Sequence, residues 1–185
     1  MLFRRSYLLF LALIQIFLLL PSCHDSKKTS PDRKRKIKQI QTQVKRLDSV
    51  QPDEVNNAIQ ELRQIGASAV PILVEALEHD SVQLRSNSAR ALPVLGASSY
   101  QAIPALIQAL SDKQASVRQQ AAFSLGLIGA LTNIQSSNTN DTLVKQMLPA
   151  LVSTLDDESI AVRSNAASAL GMLGEIAVDA VPVLV

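Results

Sequence analysis

The stretch Ile103–Gly129, IPALIQALSDKQASVRQQAAFSLGLIG, decides the fold. It splits into two apolar patterns around a short polar break. Ile103, Leu106 and Leu110 fall at i, i+3 and i+7, the stripe of an amphipathic helix. Pro104 near its start costs little, because a first-turn amide has no intrahelical partner. Ser111-Asp112-Lys113 interrupts the pattern, and a carboxylate there suits the N-terminus of a following helix. Val117, Ala121, Leu125 and Ile128 mark that second helix, and Gly129 is expected to stop it in the left-handed conformation.

Outward from this stretch the same template recurs. Pro71, Pro104, Pro149 and Pro182 are spaced by 33, 45 and 33 residues. Arg85, Arg118 and Arg163 each lie fourteen residues after a proline, and Gly96, Gly129 and Gly174 each eleven after the arginine. First helices are predicted on Val70, Leu73 and Leu77 and on Leu148, Leu151 and Leu155. Second helices are predicted on Leu84, Ser88, Leu92 and Leu95 and on Val162, Ala166, Leu170 and Leu173. Asn57 to Gly66 reads as the second helix of a partial unit ahead of these. One helix pair cannot bury its apolar face alone, whereas stacked pairs can, so the fold class is an all-α solenoid of helix pairs. Leu125 and Leu170 are expected to be fully buried between units.

Two irregularities stand out. Gly129 to Pro149 is twelve residues longer than the matching gaps, and the polar stretch near Ala130–Asp141 reads as a projecting loop. Val181-Pro182-Val183-Leu184 opens a further unit without its second helix. Solenoids close on polar capping repeats, so the pattern is that of an incomplete array.

Leu110-Ser111-Asp112, Val117-Arg118, Ala121-Ala122, Leu125-Gly126 and Gly129 together resemble a HEAT repeat, in the short bacterial form named after phycobilisome lyases. Leu155-Asp156-Asp157, Val162-Arg163, Ala166-Ala167, Leu170-Gly171 and Gly174 match equally well. The first full unit departs, with His79 in place of Asp112 and Asp157, and Pro93 in place of Gly126 and Gly171. The resemblance covers about residues 52–185 and implies a binding scaffold. It also admits enzymes, among them di-iron hydroxylases and bilin lyases. The hydroxylase site needs repeated His-Glu pairs. Glu78-His79 is reversed and occurs once.

The N-terminus carries an address. Arg4 and Arg5 precede Ser6–Leu20, fifteen residues of which Ser6 and Gln15 alone are not apolar. This is the pattern of an export signal, too short for the roughly 17–25 residues of a spanning helix. Leu20-Pro21-Ser22-Cys23 resembles the lipobox of bacterial lipoproteins, with Pro21 as a departure. The resemblance implies that Cys23 becomes the lipidated first residue and that the protein is anchored in the bacterial cell envelope, facing the periplasm or the exterior. An ordinary signal peptide is the alternative, and an uncleaved anchor would leave the chain in the cytoplasm.

Residues 24–50 hold nine basic and three acidic residues, net +6, and residues 52–185 seven basic and thirteen acidic, net −6. Ile37, Ile40, Val44 and Leu47 place a narrow apolar stripe on a first helix in the basic segment. Its charge can meet anionic lipid headgroups or simply face solvent. The domain reading is thus a signal segment at 1–22, a basic tether and first helix at 23–50, and repeats over 51–185. The repeats comprise a partial unit to 66, full units at about 67–96, 100–129 and 142–174, and the start of another at 178–185.

Composition excludes several classes. One cysteine and two histidines build neither a Cys/His zinc site nor a disulfide framework. Tyr100 and Phe123, the only aromatics beyond the N-terminal segment, form no base-stacking platform, so no nucleic acid is expected. No phosphate loop stands among six glycines, no cofactor is implied, and His79 has no nucleophile at a readable spacing. Arg85, Arg118 and Arg163 are expected to pair with turn carboxylates or carbonyls and hold the stack. The reading is a non-catalytic, lipid-anchored scaffold whose second helices line a concave protein-binding face. Its contacts are Ser86, Asn87, Arg90, Gln119, Gln120, Ser164 and Asn165. The alternative is a repeat-type enzyme subunit such as a bilin lyase, cytoplasmic if the N-terminal segment is not cleaved.

Overall fold

A computed structural model describes residues 30–135 and 141–174, with side chains placed over 30–131 and 146–174. The signal segment, Cys23, and the start of a further unit at 178–185 lie outside the described residues. Every regular element among the described residues is helical. α1 (Pro31–Arg46) and α2 (Pro52–Ile65) come first. Three more pairs follow, α3 (Val70–Ala76) with α4 (Val82–Ala91), α5 (Ile103–Ala109) with α6 (Ala115–Gln135), and α7 (Asp141–Thr154) with α8 (Ile160–Leu173). Short 3-10 segments, Gly66–Ala69 and Leu92–Ala102, turn the chain from one pair into the next. No described helix is long and apolar enough to cross a membrane.

Local chemistry sets the ends. α2 opens on a proline with Asp53 and Glu54 in its first turn, where carboxylates meet the positive end of the helix. Ser81 caps α4 by accepting the Leu84 amide at 3.3 Å. Gly66, Gly96 and Gly174 have φ of 74°, 64° and 59°, which residues with a Cβ rarely adopt. There the helices stop.

Gly129 differs from its expected role. It lies inside α6, which runs on to Gln135, and α7 begins at Asp141, so Pro149 sits inside a helix. The added residues lengthen two helices where a loop was expected, and residues 136–140 lie outside the described residues. The reason is packing. A methyl group at Gly129 would run into Leu173, and one at Gly126 would lie 2.6 Å from the Ala169 Cα. The glycines let α8 close on α6, and the helix has no reason to end there.

The predicted stripes form one continuous core that Leu173 joins from α8, while Val162 and Ala166 are buried outside that cluster. Val70, Leu73, Ile103, Leu106, Val117, Ala121, Leu125, Ile128, Val162, Ala166 and Leu173 are all buried. α6 lies between α4 and α8 and packs on both. On α1 the stripe is shorter than predicted. Ile40, Val44 and Leu47 are buried, and Ile37 is exposed, as are all of residues 31–39. Leu170 is only partly buried, because Ala169 and Leu173 take the core side of α8.

Candidate functional site

The arginines at the start of the second helices form a ladder with the turns. Arg85 Nε and Nη2 donate to the two carboxylate oxygens of Asp112, at 2.7 and 3.0 Å, in the turn of the next pair. Its Nη1 donates to the carbonyls of His79 and Asp80, at 2.8 and 2.9 Å, in the turn of its own pair. Arg118 repeats this one unit on. Nε and Nη2 meet Asp157 at 2.6 and 2.9 Å, Nη2 also meets Glu158 at 3.1 Å, and Nη1 holds the Asp112 and Lys113 carbonyls. Arg163 Nη1 donates to the carbonyls of Asp157 and Glu158, at 2.8 and 3.2 Å. The rung side chains are shielded, Arg118 and Asp157 being 9% and 10% exposed.

Each rung acid has a second task. Asp112 accepts the Gln114 amide and Asp157 the Ser159 amide, both at 2.8 Å, which folds the turn into the next helix. His79 does the same through Nδ1, accepting the Ser81 amide at 3.1 Å. It is a turn residue in the acid's place.

The charges shift accordingly. Hydrogen bonds from Arg118 hold the Asp157 carboxyl below the usual range; burial opposes them, and the Ser159 amide and the charges of Arg118 and Arg163 assist. For Asp112 burial is the largest influence and pushes upward. Arg85, the Gln114 amide and the Arg118 charge together outweigh it and leave the carboxyl lowered. Arg85 and Arg118 are raised above their ordinary value, chiefly by their bonds to Asp112 and Asp157 and against burial.

The residues expected to contact a partner divide. Asn87 donates to the Leu47 carbonyl at 2.8 Å and Asn165 to the Gln119 carbonyl at 3.2 Å, each reaching an earlier helix pair. Arg90 donates to Asn56. Ser86 points to the Ser116 carbonyl at a long 3.4 Å. Asn87, Asn165 and Arg90, expected to contact a partner, thus each tie their helix to the preceding pair within the chain. Gln119 and Gln120 are half-buried and Ser164 is exposed. Ser124, which sequence reasoning missed, is fully buried and donates to the Ala89 carbonyl at 2.8 Å. Its signal was a hydroxyl beside Leu125 on the apolar side of a helix.

A groove of about 430 Å³ runs between α1 and α3. Val44, Ile72, Ala76 and Leu84 give it an apolar lining, and Lys45, Asp48, Glu75 and His79 a charged or polar rim. It could hold an amphipathic ligand with charged ends. Among the described residues no cluster of His, Cys, Asp and Glu could hold a metal ion.

A run of helix pairs tied by arginine rungs defines an α-helical repeat protein. The chain belongs to the HEAT-repeat family, whose model matches residues 40–126, 70–147 and 103–185. Among solved structures it is similar to a chain of the complex of CpcE and CpcF of phycocyanin lyase from Nostoc sp. PCC7120. Identity is 27%, covering 74% of this chain and 79% of that one, with a TM-score of 0.64. It also shares its fold with an engineered protein at 21% identity, 76% and 67% coverage and a TM-score of 0.52. Among curated proteins no relative matches in sequence.

The similarity to a phycocyanin lyase chain overturns the expectation of a non-enzyme. Sequence reasoning looked for a nucleophile with a base beside it. A repeat array presents a groove assembled from separate helices, and spacing along the chain does not reveal that.

Proposed function

We propose that this chain is a HEAT-repeat subunit of the bilin-lyase type, which holds a linear tetrapyrrole and works in an assembly with a second protein chain. The observation that carries this is the extent of the match, three quarters of the chain superposing on a chain of a two-component phycocyanin lyase. The groove between α1 and α3 supports it. Val44, Ile72 and Leu84 offer apolar surface to the pyrrole rings, and Lys45 and His79 offer cationic or hydrogen-bonding partners to propionate carboxylates.

The test is to titrate a free linear tetrapyrrole with the purified chain and follow its visible absorbance. The chain is then combined with a second HEAT-repeat subunit and an apo-phycocyanin, and covalent pigment is scored after denaturation. Binding that is lost in Ile72→Trp, with helical content unchanged, is the expected result. No spectral change with the native chain, together with no covalent pigment, would refute the reading.

A second reading concerns address and stands as an alternative to a lyase in the cytoplasm. Leu20-Pro21-Ser22-Cys23 favours export and lipidation at Cys23, with the repeats held at the envelope membrane beside the net +6 segment. Fatty-acid labelling that disappears in Cys23→Ser supports it. Normal processing and no label place the chain with an ordinary signal peptide or in the cytoplasm.

A further inference from the structure

The first two turns of α1 carry a charge that no carboxylate answers among the described residues. Arg33, Lys34, Arg35, Lys36 and Lys38 lie within six positions, and all of residues 31–39 are exposed. None of the five enters an ion pair among the described residues, whereas Arg46 at the far end of the same helix meets Glu54 at 3.5 Å. Asp32 is the one acid in the helix, and residues 1–29 hold one more, Asp25, so the segment ahead of α1 does not balance the charge either.

The placement works against the helix itself. Cations in the first turns face the positive end of the helix dipole and one another, which costs stability unless an anion stands outside. α2 follows the opposite rule, with Asp53 and Glu54 in its first turn.

The directions of the five cations narrow the partner. Successive residues turn by about 100°, so the five point to all sides of the helix, with no gap wider than about 100°. Arg33 lies seven residues and Lys36 four residues before Ile40, on the line that Ile40, Val44 and Leu47 bury further along. The buried stripe therefore starts at Ile40, and the basic turns stand clear of it. A protein face meets one side of a helix. A layer of anions that the helix end enters meets every side. Ile37, 37% exposed among the cations, suits the boundary between headgroups and acyl chains. No aromatic stands in residues 24–50 to stack on a base.

We propose that α1 docks end-on into an anionic membrane surface, its N-terminus leading and Arg33, Lys34, Arg35, Lys36 and Lys38 meeting lipid phosphates on all sides. The positive end of the helix dipole then points at the anions as well. The inference rests on the address reading, in that the chain must meet a membrane, and not on lipidation of Cys23.

The test is flotation of the full chain, in a Cys23→Ser background, with vesicles of phosphatidylcholine alone and with about one-third phosphatidylglycerol added. The apolar segment at 6–20 is common to every sample, so the difference between the two vesicles is what is read. The native cations should raise binding to the anionic vesicles about thirtyfold or more, and about 0.5 M salt should remove the gain. Changing all five to Gln should abolish the gain with helical content unchanged, and Arg33→Lys/Arg35→Lys should keep it. Orientation is read with a fluorophore on Asp32→Cys, Gln39→Cys or Thr42→Cys, three exposed positions that share one side of α1, away from the buried stripe. Shielding from an aqueous quencher should fall in that order. No difference between the two vesicles, a gain that survives loss of the five cations, or equal shielding of the three labels would overturn the proposal. So would displacement from the vesicles by duplex RNA at equal phosphate, which would assign the cations to nucleic acid. Fatty-acid labelling of Cys23 is a separate readout, so failure of the lipid anchor and failure of this proposal are told apart.

Discussion

Removing the acid of the Arg118–Asp157 rung tests whether the ladder holds the array together. Asp157→Ala deletes two charge-assisted bonds of 2.6 and 2.9 Å from a pair about one-tenth exposed. Each such bond contributes about 1.5–3 kcal/mol. Breaking a shielded pair from one side costs about 3–5 kcal/mol. Two effects soften the loss. Arg118 keeps Glu158 at 3.1 Å, but with an 85% exposed side chain that bond compensates less than about 1 kcal/mol. Arg118 also keeps its two turn carbonyls. The net cost is about 2–4 kcal/mol, or roughly 5–15 °C in Tm for a chain of this size. Because stability in a repeat array is a sum over neighbours, the α7–α8 pair should loosen first and broaden the transition. The assay is thermal and urea unfolding, by circular dichroism at neutral pH, of native protein, Asp157→Ala, Arg118→Met and the double variant. A cost under about 0.5 kcal/mol for Asp157→Ala, or strict additivity in the cycle, would show that the rung is a surface pair of no consequence.

The glycines give a paired test: Gly126→Ala should destabilise by about 1–3 kcal/mol, since its methyl would meet the Ala169 backbone, while Gly171→Ala should be neutral or stabilise by up to about 1 kcal/mol, both read by urea midpoint. Leu125→Ala, fully buried between α4 and α8, should cost about 3–5 kcal/mol, and partly buried Leu170→Ala about half of that; equal costs would mean α8 is packed on both sides. Asp112 and Asp157 have carboxyls lowered in the folded state, so their stabilisation is complete above the unfolded pKa of about 4 and is lost as pH falls through the folded values. Asp112→Asn/Asp157→Asn should flatten the fall of stability with pH below about 4, and an unchanged acid limb would show that other carboxylates govern it.

The fold was legible because three signals agreed. Apolar residues at i, i+3 and i+7 named the helices, glycines at a fixed interval named the stops, and the proline period named the stacking. The failures are local and have physical causes. Gly129 occupies a stop position in the sequence register, but a glycine also permits close helix contact, and the contact with α8 decides. The polar letters after it suggested a loop, yet Leu131 and Ile134 keep helical spacing and the helix continues. Asn87 and Asn165 looked free because polar residues beside a core stripe usually meet water. In this array the neighbour is the preceding pair, and its backbone carbonyls, Leu47 in the turn after α1 and Gln119 on α6, are within an amide's reach.

The groove was illegible for a related reason, and its position follows from the ladder. Each later joint between pairs is drawn in by a bidentate rung, Arg85 with Asp112 and Arg118 with Asp157. The first joint has neither member of a rung. α2 opens Pro52-Asp53-Glu54-Val55-Asn56 with no arginine, and the facing turn carries His79 where an acid would stand. Lighter ties replace it, Ser81 to Asp48, Asn87 to the Leu47 carbonyl and Arg90 to Asn56. Asp48 and His79, the turn residues of that joint, are the two that line the groove from its end. A lone departure such as His79 reads in sequence as drift in one repeat. Set against the absence of an arginine at Pro52, the spacing of Arg85 from Asp112, it becomes a joint without a rung, and the opening it leaves is where this scaffold has surface for a ligand.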